Sequence, residues 1–192
     1  NINFRYYCKR IYNKFSFGYK IIVRFRMKTE EAQKHTAGNY NVDSFNLDHT
    51  KVTAPFVRLA AKKHGKKGDI VSKYDIRFCQ PNKEFMSTGA IHTLEHLVAE
   101  YIRDELPGIV IDFSPMGCRT GFYFTVWGDH EESYIAEHLV NVLEKVAVWD
   151  REVPAATEKE CGNYKDHNLE EAKVLAAKWV EGIKKTGWNC CK

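Results

Sequence analysis

An α+β fold, one domain with a mostly antiparallel sheet and helices packed on one face, is predicted by three features of the sequence. Apolar patterning gives strands, a helix, more strands and then two helices, without the regular βαβ alternation of a parallel sheet. No glycine-rich phosphate loop follows any of the strands. Tyr74, Ile76 and Phe78 alternate with Asp75, Arg77 and Cys79, the pattern of a sheet covered on one face.

In chain order, residues 1–41 are expected to be a disordered extension and residues 42–192 the folded domain. The first 26 residues hold seven Lys or Arg and no Asp or Glu, with no clean period. Their residue types share A/T-rich codons, so translated upstream sequence with Met27 as the start is the expectation. A basic, aromatic membrane-surface segment is the functional alternative. Residues 28–41 are polar. Val52 to Leu59 reads as short and extended, interrupted by Pro55, and Lys62 to Gly68 as a basic solvated loop. Val71 to Cys79 is the alternating strand, ended by Pro81.

A helix follows, with Ser87 and Thr88 as capping candidates and Leu106-Pro107-Gly108 as its stop. Leu94 centres its apolar face, with Ile91, Val98 and Tyr101 close by and Leu97 and Ile102 on the flanks. Ile109 to Phe113 and Phe122 to Trp127 are two more strands. Glu132 to Val148 is a helix burying Ile135, Leu139, Val142, Leu143 and Val146. The last helix, from about Leu169 to Ile183, buries Ala172, Leu175, Ala176, Trp179 and Val180.

Charge and composition narrow the function. The 192 residues suit a single domain with a substantial core. Beyond residue 26 the chain carries 22 basic against 25 acidic residues, which argues against a nucleic-acid surface. No apolar run is long enough to span a membrane. Six cysteines at irregular spacing do not form a disulfide framework, so a reducing cytoplasm is expected, where cysteines serve metals or catalysis.

The chemistry centres on the first helix. His92 and His96 are four residues apart, so both imidazoles lie on one face and can hold one metal ion. Glu95 sits to the side, where a carboxylate works as a base without being a ligand. His-x-x-Glu-His is the inverted zincin pattern. Two imidazoles alone do not make a catalytic site, and Cys161, in a loop before the last helix and followed by Gly162, is a candidate third ligand. A small buried thiol is the alternative for Cys161. Cys118 lies in a glycine-flanked turn entering a strand, where a nearby cation or metal would make it an acid–base group; a structural thiol is again the alternative. Cys79 is assigned to packing, and Cys190 and Cys191 to a dispensable tail.

Several separated motifs then fall in the order of one family. They are Ser44-Phe45-Asn46-Leu47-Asp48-His49, Tyr74-Asp75-Ile76-Arg77-Phe78-Cys79-Gln80-Pro81 and Ile91-His92-Thr93-Leu94-Glu95-His96-Leu97. Ser114-Pro115-Met116-Gly117-Cys118 with Thr120-Gly121, and Glu152-Val153-Pro154-Ala155-Ala156 leading to Cys161-Gly162, complete the set. From Val42 to about Trp179 the chain resembles the S-ribosylhomocysteine lyase (LuxS) family.

The resemblance implies one divalent metal per subunit on His92, His96 and Cys161, with iron(II) expected and zinc or cobalt also supported. It implies Glu95 and Cys118 as the acid–base pair, and Ser44, Phe45, His49, Arg77 and Asp112 as substrate contacts. It further implies a homodimer with two active sites at the interface. The reaction implied is cleavage of the thioether of S-ribosylhomocysteine to homocysteine and 4,5-dihydroxy-2,3-pentanedione, the autoinducer-2 precursor. Carbonyl migration and β-elimination would bring this about, with a Lewis-acid metal assisting. Two other readings compete. One is an inverted-zincin peptidase using Glu170 or Glu171 as third ligand; the other is a non-catalytic metal- or thiol-binding module.

Overall fold

Four antiparallel strands, β1 (Phe56–His64), β2 (Ile70–Arg77), β3 (Val110–Pro115) and β4 (Gly121–Trp127), form one sheet in the order β1-β2-β4-β3. The computed structural model describes residues 40–190, all within one compact unit. The expectations for residues 1–39, including a start at Met27, and for Cys191 lie outside the described residues. Among the described residues no helix is long and apolar enough to cross a membrane.

Register explains how the sheet makes two different faces. Val57 pairs with Ile76, Leu59 with Tyr74, Tyr74 with Phe124 and Phe113 with Phe124, and directly opposed residues share a face. These side chains join the apolar core with the helices α1 (Thr88–Glu105), α2 (Glu132–Ala147) and α3 (Leu169–Thr186). The apolar faces expected for the helices are buried: Ile91, Leu94, Leu97, Val98 and Ile102 on α1, Ile135 to Val146 on α2, and Ala172, Ala176, Trp179 and Val180 on α3. Each fully buried large side chain there contributes about 1.5–3 kcal/mol. Trp179 does more than pack. Its indole stacks on Phe78 and its Nε1 donates to the Arg77 carbonyl at 3.0 Å, fixing α3 against the end of β2.

The second face differs from a solvated one. Phe56, Arg58, Asp75, Arg77, Tyr123 and Asp112 point there, yet Asp75 is 0% and Arg77 1% exposed. A 3-10 turn, Asp43–Asn46, runs over this side, and Asp43 pairs with Lys73 at 3.3 Å. A charged pair can be buried only if its partners are present, and the two arginines supply them.

Two expectations near the first hairpin change. Lys62 to Gly68 is not all loop: β1 continues to His64, and the turn is confined to the last part, with Gly65 N donating to Asp69 O at 2.7 Å. Lys62, Lys63 and His64 are exposed, so ladder bonds to Ile70, Val71 and Ser72 hold this strand end without apolar burial. Val52 to Pro55 is not in a strand. Thr53 N donates to Cys190 O and Val57 N to Trp188 O, both at 2.9 Å, so the tail around Cys190 braces the entrance to β1. Cys79 packs as expected, and burial pushes its thiol up.

Candidate functional site

The helix α1 begins where its cap dictates, with Ser87 Oγ accepting from Ala90 N at 3.1 Å. Its apolar stripe turns to the core, which leaves His92 and His96 on the other side. Facing them is the chain between α2 and α3. A turn there, with Thr157 O accepting from Cys161 N at 2.9 Å, brings the Cys161 sulfur to 3.4 Å from His92 Nε2. Ligands around a tetrahedral ion with bonds of about 2.0–2.3 Å stand roughly 3.3–3.8 Å apart, so this spacing suits a shared ion.

Both imidazoles are oriented through their other nitrogen. His92 Nδ1 lies 2.9 Å from the Asp166 carbonyl and His96 Nδ1 2.8 Å from the Pro154 carbonyl. A carbonyl only accepts, so each Nδ1 carries the hydrogen and each Nε2 keeps a lone pair. This is the arrangement of a metal-ligating histidine. Glu95 stands beside the pair, its Oε2 3.9 Å from His96 Nε2.

A fourth residue enters that the sequence reading did not single out. His167 stacks on His92 with ring centroids 4.1 Å apart, and a donor atom from each of His92, His96, Cys161 and His167 lies within 4.8 Å of the others. Gly89 lets the segment approach, since a Cβ there would meet backbone of His167 and Asn168 at 3.2 Å. Thr93 then fixes it: its Oγ1 donates to Gly89 O and so accepts from Asn168 N at 3.0 Å and from His167 Nδ1 at 3.2 Å. That leaves His167 Nε2 as a buried lone pair without a partner. Burial, then the neighbouring His92 and His96, lower the His167 pKa from 6.5 to about 4. The one sequence signal for it is a histidine six residues past Cys161, just before the capping Asn168. The donor set therefore fits a metal.

The carboxylates of the peptidase alternative are elsewhere. Glu171 accepts from Ser87 N and Oγ at 3.1 and 2.6 Å, and Glu170 is exposed beside Lys173.

Most of the other expected residues gather in a second place. Ser44, Phe45, His49, Arg77 and Cys118 line one cleft of about 760 Å³, together with Thr120, Tyr123 and Phe85. Cys118 stands exposed at the tip of the β3–β4 turn, which Met116 O closes by accepting from Arg119 N at 2.8 Å. Arg119 has φ of 57°, a left-handed conformation uncommon for a non-glycine residue and often found near functional positions. Asp112 shares the sheet face with Arg77 but does not line the cleft; it accepts from Ser114 Oγ at 2.7 Å. None of His92, Glu95, His96, Cys161 or His167 lines this cleft. Within one chain the metal-type cluster and the cysteine cleft are thus separate.

Known proteins place the chain in context. Residues 42–189 match the family model described as S-Ribosylhomocysteinase (LuxS). The S-ribosylhomocysteine lyase of Thermus thermophilus is 54% identical over 146 residues, which covers 76% of this chain and 90% of that protein. That of Enterococcus faecalis is 58% identical over 136 residues, covering 70% and 87%. For Deinococcus radiodurans the identity is 53% over 136 residues, covering 71% and 85%.

Proposed function

The chain belongs to the S-ribosylhomocysteinase (LuxS) family, and from that premise we propose how its residues divide the work. It is a carbon–sulfur lyase that cleaves S-ribosylhomocysteine, and the thiol product is homocysteine. The observation that carries the assignment of parts is the geometry at α1. Two imidazoles are tautomerically fixed by backbone carbonyls, with a cysteine sulfur 3.4 Å from one of the free nitrogens.

We assign His92, His96 and Cys161 as the metal ligands, and the donor set of two nitrogens and a thiolate suits iron(II), with zinc or cobalt as alternatives. A bound ion would supply Lewis-acid polarisation of the sugar carbonyl. His167 stacks on the His92 ring, with its own donor atom within 4.8 Å of those of the three ligands.

The remaining steps are proton transfers by the chain itself. Cleaving the sulfur at C5 requires a carbonyl at C3, yet the sugar begins with it at C1. Each shift takes a proton from one carbon and returns one to its neighbour, which calls for two groups able to act as base and acid in turn. Glu95 Oε2 and Cys118 Sγ are those groups. With the carbonyl at C3, removal of the C4 proton expels homocysteine as a thiolate. The enol left across C4 and C5 takes up a proton at C5 to give 4,5-dihydroxy-2,3-pentanedione. Ser44, Phe45, His49, Arg77 and Asp112 are assigned to hold the substrate.

Glu95 and Cys118 must reach one substrate, and in one chain they belong to separate places. We assign a homodimer in which the α1 cluster of one protomer faces the cleft of its partner. The cleft rim supports this, because Val42, Phe45 and Phe85 are 46%, 63% and 65% exposed. We assign the enzyme to the cytoplasm, whose reducing conditions suit a thiolate ligand and a thiol proton carrier.

The test is free thiol released from S-ribosylhomocysteine by protein purified without oxygen, before and after chelation. Release that chelation abolishes is expected. No release from folded, metal-loaded protein would refute the assignment.

A further inference from the structure

We infer that Thr93, itself no ligand, is a positioning residue for the metal site, its hydroxyl holding residues 166–168 so that His92 is aimed and His167 presents a bare nitrogen. Thr93 lies between His92 and His96 in sequence but on the buried side of α1, where it is 0% exposed. A helical threonine ordinarily settles its hydroxyl on the carbonyl four residues back, and Thr93 Oγ1 does so, 2.7 Å from Gly89 O. That local bond would be the whole account if the oxygen carried nothing else. It also accepts from Asn168 N at 3.0 Å and lies 3.2 Å from His167 Nδ1, groups 75 and 74 residues further along the chain. A hydroxyl offers one hydrogen and two lone pairs. Here all three are in use.

Two consequences reach the cluster. The first concerns the His92 ring, whose Nδ1 leans on Asp166 O at 2.9 Å. That carbonyl stands two residues before Asn168, whose N–H is shared between Gly89 O at 3.1 Å and Thr93 Oγ1. The hydroxyl is thus the side-chain anchor, inside the core, of the segment that carries the carbonyl. The second concerns the tautomer of His167. With the Thr93 hydrogen committed to Gly89 O, the hydroxyl can only accept from the ring, so neutral His167 carries its hydrogen on Nδ1. Its Nε2 is then a buried lone pair without a partner, in a ring stacked on His92 at 4.1 Å and edge-on to His96 at 4.8 Å. The opposite tautomer would bury an N–H beside donors that suit a cation. A lone pair there favours the cation instead.

The inference rests on the reading of His92, His96 and Cys161 as metal ligands, and the experiment separates the two. Zinc affinity is measured by chelator competition for the full chain and for Thr93→Val, Thr93→Ser and Cys161→Ala. Nitrogen NMR of the zinc-loaded parent with labelled histidine reads which His167 nitrogen carries the hydrogen. Val keeps the shape of Thr93 and leaves the bond from Asn168 N to Gly89 O in place. Loss of an outer bond of this kind weakens metal binding about ten- to a hundredfold, and Thr93→Val should fall in that range. Thr93→Ser should bind within about threefold of the parent, since its hydroxyl has the same hydrogen and lone pairs. The NMR spectrum should place the His167 hydrogen on Nδ1. Parent affinity in Thr93→Val overturns the inference, as does a Ser variant as weak as Val. A parent His167 with its hydrogen on Nε2 also overturns it, and that readout decides should Thr93→Val fail to fold. Weakened binding in Cys161→Ala beside an unchanged Thr93→Val sinks this inference alone, whereas undiminished binding in Cys161→Ala removes the ligand reading beneath it.

Discussion

Replacing Gly121 by alanine probes the joint between the sheet and the cysteine turn. Gly121 opens β4 opposite Arg77. A Cβ there would lie 2.3 Å from the Ile76 carbonyl oxygen and 3.0 Å from the Arg77 Cα. Unstrained carbon–oxygen contacts are about 3.3 Å or longer, so the strands must part by roughly 1 Å. Both obstacles are backbone atoms of an interior strand and cannot rotate away. Overpacking of this sort costs about 1–3 kcal/mol, and the immobile neighbours place it at the upper end. The stiffer unfolded chain returns about 0.4–1 kcal/mol, for a net loss of about 2 kcal/mol. A domain of this size loses about 2–4 °C of Tm per kcal/mol, so the expected fall is roughly 4–8 °C. Thermal unfolding followed by circular dichroism reads it. Gly117→Ala, where no atom lies within 4 Å of the added carbon, is the control and should melt within about 1–2 °C of the parent. A Gly121→Ala protein melting at or above the parent temperature would refute the packing of β4 on β2 described above.

Two other perturbations test separate parts. A full set of four zinc ligands binds with about 10–16 kcal/mol, or roughly 3 kcal/mol for each. Cys161→Ala should therefore weaken metal binding at least about a hundredfold in chelator competition, and undiminished occupancy would remove Cys161 from the site. Glu105 joins α1 to α2, accepting from Asn141 Nδ2 at 2.8 Å with His138 Nδ1 at 3.1 Å, and these bonds hold its carboxyl below the ordinary range. The unfolded chain binds its proton first as pH falls. The stabilisation is thus complete above the ordinary glutamate pKa of about 4.3 and is lost as pH drops through the lower folded value. Glu105→Gln should cost about 1 kcal/mol at pH 7, with the difference closing in acid; a pH-independent gap in Tm would contradict the sign.

The helices could be read directly from the sequence because their signals are local. Ser87, the apolar stripe through Leu94 and the stop at Leu106-Pro107-Gly108 all sit within one stretch, and α1 runs where they put it. His92 and His96 followed from that helix alone, and Cys161 from its loop. His167 did not, since its meaning depends on Thr93 and Gly89 more than seventy residues away. Asp75 was misleading for a related reason. An acid alternating with apolar residues reads as solvated, and only the cross-strand neighbour Arg58 and the fork to Arg77 make its burial affordable. The extension of β1 to His64 was hidden because backbone pairing, not side-chain type, holds it.

The two imidazoles of α1 lean on main-chain oxygens, those of Pro154 and Asp166, rather than on side chains. A carbonyl is present whatever residue is encoded, so no amino-acid replacement deletes it. Copies of this gene can therefore drift in spelling between those two positions, Cys161 excepted, while both rings keep their aim. An inserted or lost codon in the same interval would shift one oxygen against the other and turn a ring away. What inheritance must protect along this loop, besides Cys161, is its length.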